Sequence, residues 1–331
     1  MTEEKLIKEQ VFQFMEQNGI IPRDRNMDFI MDGQLHRFSV EGDKHGDKSG
    51  AYVIHNDEWP AWAVMDYHKT DEMIKGKFNP DSLRTYERDE FFTQLRKLST
   101  PQFQSKKTDE RKRQEQHQEK MRAEAVNRAW REYNDTRNSC ADEHPYSQLK
   151  HLTDCRMFDY QARIKTNRRE GDYGQIGDLM IPLHNAETGR FQSMQLIRGN
   201  PNTEGKYQKG IYKDTQVTGA CFSLIPFEDK KPDMLFICEG VATAASLFKA
   251  LDFEVEVIAA MNCHNIINVA RAFKKKCSDR IIIIAADNDT AGIKTAEKTK
   301  EAGYADKIIL PPLSPEQGKD WNDYYIKEGV I

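Results

Sequence analysis

A chain of 331 residues with 53 Asp plus Glu against 49 Lys plus Arg, a formal net charge of -4 and 31% charged residues has length for two or three domains. It lacks the basic excess of a histone-like binder. No apolar run approaches the roughly 20 residues of a bilayer crossing, and the opening MTEEKLIKEQ has neither a hydrophobic stretch nor a cleavage site, so a soluble cytoplasmic chain is expected. The six cysteines never form CxxC, which speaks against a disulfide scaffold and a cysteine-built zinc site.

In chain order, Leu6, Val11, Phe14 and Met15 set a short helical pattern that Asn18 and Gly19 stop. After Pro22 the runs LHRFSV, AYVIH and AWAVMDYH alternate with polar turns, which predicts an antiparallel meander and a small β-rich domain over 1–80. Residues 81–140 read as a charged helical linker. From Gln104 to Arg137 there is no Gly or Pro, so one exposed helix of roughly 50 Å is expected. Its apolar positions, Met121, Ala125, Ala129, Trp130 and Tyr133, occupy only the C-terminal half. Residues 141–228 return to mixed α+β texture, with the basic stretch ARIKTNRREG and strands DLMIPL and FQSMQLI. Between 150 and 213 eleven Lys and Arg stand against seven Asp and Glu. Over 229–331 the apolar runs MLFIC, VEVIAA, RIIIIAA and KIIL alternate with helical patterns, the pattern of an α/β domain whose parallel sheet is covered by helices on both faces.

Functional groups in such sheets gather at the carboxyl ends of strands. Glu239 follows the run LFIC directly, Asp287 and Asp289 follow IIIIAA, and GKDWNDYY adds Asp320 and Asp323. Carboxylates at i and i+2 leaving one strand, with a third from its neighbour, would form an oxygen-rich cage suited to Mg²⁺. The plainer reading of Asp289 is an N-cap for the helix that starts near Ala291. Its repetition on two strands of one sheet favours a metal site.

An apolar strand followed by Glu-Gly, a later strand followed by D-N-D-T-A-G, and the terminal K-D-W-N-D resemble the Toprim domain of topoisomerases, bacterial-type primases and certain nucleases. EGVATAASL with AADNDTAG, preceded by HPYSQLK, DLMIPL and GNPNTEGKYQKG, is similar to the Toprim primases of plasmids, phages and integrative elements. The resemblance covers about residues 144–326. It implies a DNA primase that joins nucleoside triphosphates on a single-stranded DNA template. Glu239 would be the acid/base or metal-site glutamate, Asp287 and Asp289 the Mg²⁺ or Mn²⁺ ligands, and Asp320 part of the same cluster. Lys206 would face nucleic acid or the triphosphate. Two positions depart from the replicative primase pattern, Thr243 and Asn322 standing where that pattern has acids, and both lower the charge of the site. No GxxxxGK[ST] loop occurs, so a separate replicative helicase is the expected partner. The alternatives are a Toprim nuclease using the same acids and a non-catalytic docking protein. A topoisomerase would need a tyrosine on a further domain.

Primases of this type usually begin with a zinc ribbon. Here no cysteine precedes Cys140, and His36, His45, His55 and His68 lack the close ligand pairs of a ribbon, so the N-terminal domain is expected to hold no zinc. Phe38 and Tyr52 are expected in its core, and Trp59 beside Pro60 is the best candidate to stack an unpaired base. Arg163, Lys165, Arg168 and Arg169 form a charge run that either lies solvated or holds template phosphates.

Overall fold

Glycines placed opposite aromatic residues shape the N-terminal sheet. Helix α1 (Glu3–Gln17) packs Leu6, Ile7, Val11 and Met15 into a core shared with strands β1 (His36–Phe38), β2 (Gly50–His55), β3 (Ala61–Asp66) and β4 (Ile74–Lys77). These pair antiparallel in the order β1-β2-β3-β4, the meander expected from the sequence. Phe38 lies directly across from Gly50 and Trp62 across from Gly76. A Cβ at Gly76 would come within 2.3 Å of the Trp62 indole nitrogen, and one at Gly50 within 2.5 Å of the Phe38 ring. Each ring thus covers a glycine backbone, and Phe38, Tyr52 and Trp62 are all buried. Gly76→Val is expected to destabilise this unit by about 2 kcal/mol, the usual cost of forcing bulk into a packed core. Thermal unfolding followed by tryptophan fluorescence measures it.

The computed structural model describes residues 3–329 except 45, 57–58, 71, 83–87, 89–91, 93–100, 137–140, 156–160, 227–231 and 315, with 101–111 as helical backbone alone. The chain divides into two compact units, Met1–Glu115 and Gln116–Ile331. Helix α2 (Pro101–Asn134) is the long helix expected from the sequence. Its C-terminal turns bury Ala129 and Tyr133 against Met180, Met194, Leu196 and Tyr212. No helix among the described residues is long and apolar enough to cross a membrane.

The second unit is organised by one sheet. Its strands are β5 (Arg163–Ile164), β6 (Leu179–Asn185), β7 (Phe191–Pro201), β8 (Tyr207–Ile211), β9 (Ala220–Leu224), β10 (Met234–Cys238), β11 (Glu256–Ala259), β12 (Ile281–Ala285) and β13 (Lys307–Ile309). The order is β13-β12-β10-β11-β9-β6-β7-β8, with β5 beside β6. Strands β13, β12, β10 and β11 run parallel, and β9 joins β11 antiparallel to begin the other half. The short helix α3 (Pro145–Leu149) precedes β5; α4 (Val241–Ala250), α5 (Cys263–Lys276), α6 (Thr290–Glu301) and α7 (Trp321–Glu328) belong to the parallel half.

Alternation along the parallel strands explains their unbroken apolarity. Phe236, Cys238, Val257, Ala259, Ile283 and Ala285 pack on one face with Ala244, Ala245 and Phe248 of α4, while Leu235, Ile237, Ile258, Ile282 and Ile284 pack on the other with Ile266, Val269, Ala270 and Phe273 of α5. Where the two halves meet, the buried Asn265 donates to the carbonyls of Val217, Ala220 and Ala260 and accepts from the Gly219 amide. One side chain thereby satisfies backbone groups that the change in strand direction leaves without ladder partners.

Candidate active site

Strand β10 ends at Cys238, so Glu239 emerges at its carboxyl end, immediately before α4, whose N-cap is Gly240. The Glu239 carbonyl accepts from the amide of Met261, a residue with a left-handed φ of 73°, at 2.7 Å. This ties the loop after β11 to the loop after β10. The neighbouring strand β12 ends at Ala285, and the chain then turns through Asp287 and Asn288 to Asp289.

Asp289 does cap α6, accepting from the Gly292 amide at 2.9 Å, so the N-cap reading is correct for it. Its other oxygen meets the Lys319 ammonium at 2.7 Å. Burial alone would raise the Asp289 pKa, but the hydrogen bonds from Lys319 and Gly292 outweigh it and hold the group below its ordinary value. Asp320 caps α7 and accepts from the Asp323 amide at 2.8 Å.

Asp287 is different. It is 8% exposed, and its Oδ1 has no hydrogen-bond partner. Burial first, then the negative charges of Glu239 and Asp320, push its pKa to about 7 against the partial relief of Lys319. Glu239 is shifted up as well, by burial and by Asp289 and Asp320, with Lys319 and His264 opposing. A buried carboxylate with a free oxygen, surrounded by other acids, is short of positive charge. That deficit and the all-oxygen donor set fit a hard divalent cation.

The expected oxygen cage is not closed, however. Among the described residues no three acid, histidine or cysteine side chains are gathered closely enough to hold a metal ion. Asp289 and Asp320 are occupied by capping bonds, which leaves Asp287 as the acid with a free buried oxygen.

The glycine of D-N-D-T-A-G has a specific task. A Cβ on Gly292 would stand 2.6 Å from the Asp287 carbonyl and 3.2 Å from its amide nitrogen, both rigid backbone atoms. Gly292→Val is expected to displace the Asp287 turn and destabilise the unit by about 2 kcal/mol. Thermal unfolding followed by circular dichroism measures it.

The two positions that depart from the primase pattern lie in the interior. Thr243 is buried in α4. Asn322 is fully buried and donates to the Lys150 carbonyl at 2.8 Å and the Ser246 hydroxyl at 2.9 Å, joining α7 to α4 and to the end of α3. These contacts give Asn322 a structural role in holding α7, whose cap is Asp320.

The basic run separates into unlike residues. Lys165 is fully buried, its ammonium 2.9 Å from Asp172 and 3.3 Å from Glu132, so the expected template role for Lys165 is corrected to an internal ion-pair network. Arg163 is half-buried, donating to the Tyr133 carbonyl at 2.7 Å and lying over the Tyr133 ring at 3.8 Å. Its guanidinium is committed to the end of α2. Arg168 is exposed, and the exposed Arg169 pairs with Asp135 at 3.1 Å. Lys206, in the turn between β7 and β8, is exposed beside Glu204. Trp59 is 41% exposed, with its indole N–H on the Phe78 carbonyl at 3.1 Å. Of the four N-terminal histidines, His36 pairs with Asp32 and His68 with Asp43, while His45 lies outside the described residues.

Sequence reasoning passed over Lys209. Its ammonium donates to the Tyr146 hydroxyl at 2.9 Å and feels both Asp320 and Glu239. Burial lowers its pKa and those two acids raise it in opposition, while burial pushes Tyr146 to about 12. The pattern KYQKG contains both lysines, and only the packing of β8 against α3 separates the one near the acids from the one in the turn.

Residues 234–330 match the family model described as the Toprim domain. Two curated relatives, both DNA primase TraC of Escherichia coli, are 28% identical: one over 298 residues, covering 87% of this chain and 18% of the relative, the other over 296 residues, covering 86% and 24%. The chain thus spans about a fifth of the length of these relatives. Among solved structures, the DnaG primase catalytic domain bound to ssDNA is 13% identical with a TM-score of 0.44, covering 64% of this chain and 76% of that one. The RNA polymerase domain of Mycobacterium tuberculosis primase DnaG is 14% identical with a TM-score of 0.40, covering 63% and 80%. This chain carries a Toprim domain, preceded by a region that aligns with DNA primases.

Proposed function

We propose that the chain is a DNA primase catalytic region that joins nucleotides on single-stranded DNA in a reaction dependent on Mg²⁺ or Mn²⁺. The observation that carries this reading is Asp287, a buried carboxylate with a free oxygen, pressed by Glu239 and Asp320 at the ends of parallel strands. Asp287, Glu239 and Asp289 would hold the cation, with Asp320 adding negative charge. When bound, the cation supplies charge neutralisation to the triphosphate and its departing pyrophosphate.

The chain's own residues do the rest. Asp287 gives up its proton as positive charge enters, because burial and the neighbouring acids hold its pKa at about 7, and Glu239 is shifted in the same direction by burial and by Asp289 and Asp320. Lys319, displaced from Asp289, and Lys209 beside Tyr146 bring ammonium groups to the side on which phosphate oxygens would lie. Arg168, Arg169 and Lys206 offer exposed charge for the template backbone. Trp59 presents a half-exposed ring in the N-terminal unit, which we read as a metal-free aid to template engagement. A replicative helicase would act as a separate partner, and the working boundaries are the domains at 1–80, 81–140, 141–228 and 229–331.

Incubating the full chain with single-stranded DNA, labelled nucleoside triphosphates and Mg²⁺ or Mn²⁺, with products resolved by size, is expected to give short new strands. Asp287→Ala/Asp289→Ala should give none while keeping the fold. Shortening of a labelled DNA strand without synthesis would favour a nuclease, and equal synthesis by the double variant would sink the proposed site.

A further inference from the structure

The N-terminal unit contains a basic concavity on a different part of its surface from Trp59. Arg23, Arg37, Ser39 and Lys48 line a cavity of about 450 Å³ whose floor includes the buried rings of Phe38 and Tyr52. Arg23 also lines a second cavity of about 260 Å³, shared with Arg25 and with the acids Glu41 and Asp43. The walls are held in place. The Arg37 guanidinium lies over the Tyr67 ring at 4.0 Å. The loop that carries Lys48 is fastened by Asp43, whose carboxylate accepts from the Val40 and Ser49 amides and meets His68 at 2.9 Å.

The charge balance of this cavity is positive. Arg23, Arg37 and Lys48 are exposed, and no acid pairs with any of them among the described residues. Of the two acids on the rim, Asp28 is neutralised by Lys8 at 2.7 Å, and Asp24 accepts from the Asn26 amide of its own turn. Three cations without an acid partner, around a cavity of nucleotide size, match a phosphodiester and its base. A duplex keeps its bases stacked inside and has nothing to place in a concavity, whereas an unpaired nucleotide can enter it with its phosphate on the rim.

We propose that this cavity seats an unpaired nucleotide of a single DNA strand, giving the N-terminal unit its own grip on template. The proposal rests on the primase reading only for the strand being DNA.

The test uses the full chain, a short fluorescein-labelled oligo(dT) and fluorescence anisotropy across a salt series, in chelator and without nucleoside triphosphates. Arg23→Gln/Lys48→Gln removes two exposed, unpaired charges and should leave the fold intact. Its affinity should fall at least 10-fold near 0.1 M salt, and the slope of log affinity against log salt should shrink by about 1.4, or about 2 when Arg37→Gln is added. Wild-type affinity and slope in both variants would overturn the proposal. A chain that makes no primers when Mg²⁺ or Mn²⁺ is supplied, yet loses DNA affinity in these variants in chelator, refutes the primase reading and leaves the cavity standing.

Discussion

Replacing Asp287 with Asn is expected to lower nucleotide transfer about 10³-fold, the scale on which removal of one directed electrostatic group slows an enzyme, and at the same time to stabilise the metal-free protein above neutral pH. The sign follows from the direction of the shift. The carboxyl titrates near 3.8 in an unfolded chain and at about 7 in the fold. Between those values the folded state keeps a proton that the unfolded chain has released. The stabilising contribution is therefore complete below about pH 4 and is lost as pH rises through about 7. At 1.36 kcal/mol per pKa unit, a shift of this size corresponds to at most on the order of 4 kcal/mol, shared with Glu239 and Asp320. Metal-free wild type should lose several degrees of Tm between pH 5 and 8 that Asp287→Asn retains. A divalent cation should restore the wild type and not the variant. Calorimetric scans across pH, with and without Mg²⁺, measure all of this, and parallel pH profiles for the two proteins would remove Asp287 from the centre of the site.

Lys165→Met is expected to be the most destabilising single change in the second unit. Glu132 and Lys165 are both fully buried, and Asp172 is nearly so. Glu132 accepts from the amides of Tyr173 and Gly174 and from the Tyr212 hydroxyl, and Asp172 meets Arg131 at 2.9 Å. Burial would raise the Asp172 pKa, but the Arg169 amide, Lys165 and Arg131 together hold it below its ordinary value. Removing the lysine leaves two interior carboxylates short of their shared cation, a loss of about 3–5 kcal/mol. That corresponds to a fall of roughly 10 °C in Tm for a unit of this size. Adding Glu132→Gln and Asp172→Asn to Lys165→Met should recover most of it, because the buried interior then carries no unpaired charge and the Arg131 guanidinium left behind is partly exposed to solvent. An exposed, template-binding lysine would show neither the loss nor the recovery.

The parallel sheet was legible because a strand covered on both faces must be apolar at consecutive positions, as LFIC and IIIIA are. The carboxylates were legible because a parallel strand presents its following residues at one edge, so Glu239, Asp287 and Asp289 could be named from spacing alone. What spacing could not carry was partnership across long sequence distance. Lys165 reads as one of a run of surface charges until Glu132, on α2, is placed beside it. Lys209 and Lys206 are equivalent letters until β8 packs against α3 and brings one of them to Tyr146 and Asp320. Asn322 reads as a missing acid, yet the fold uses its amide to hold α7. The junction through Asn265 left no trace in periodicity, because it satisfies backbone carbonyls at the entry to β9 and just past β11 at a single point. In the N-terminal unit the turns predicted the meander, while the pairing of Phe38 with Gly50 and Trp62 with Gly76 depended on a register that turn chemistry alone does not specify.

The most direct test of the central claim, that Asp287 and its neighbouring acids bind the catalytic cation, is Mn²⁺ titration of the purified full chain followed by electron paramagnetic resonance. Wild type should take up bound Mn²⁺ with release of protons near neutral pH, since Asp287 must ionise to bind, and Asp287→Asn should lose at least 10-fold in affinity. Mn²⁺ binding of equal affinity in Asp287→Asn and wild type, with no proton release in either, would contradict it.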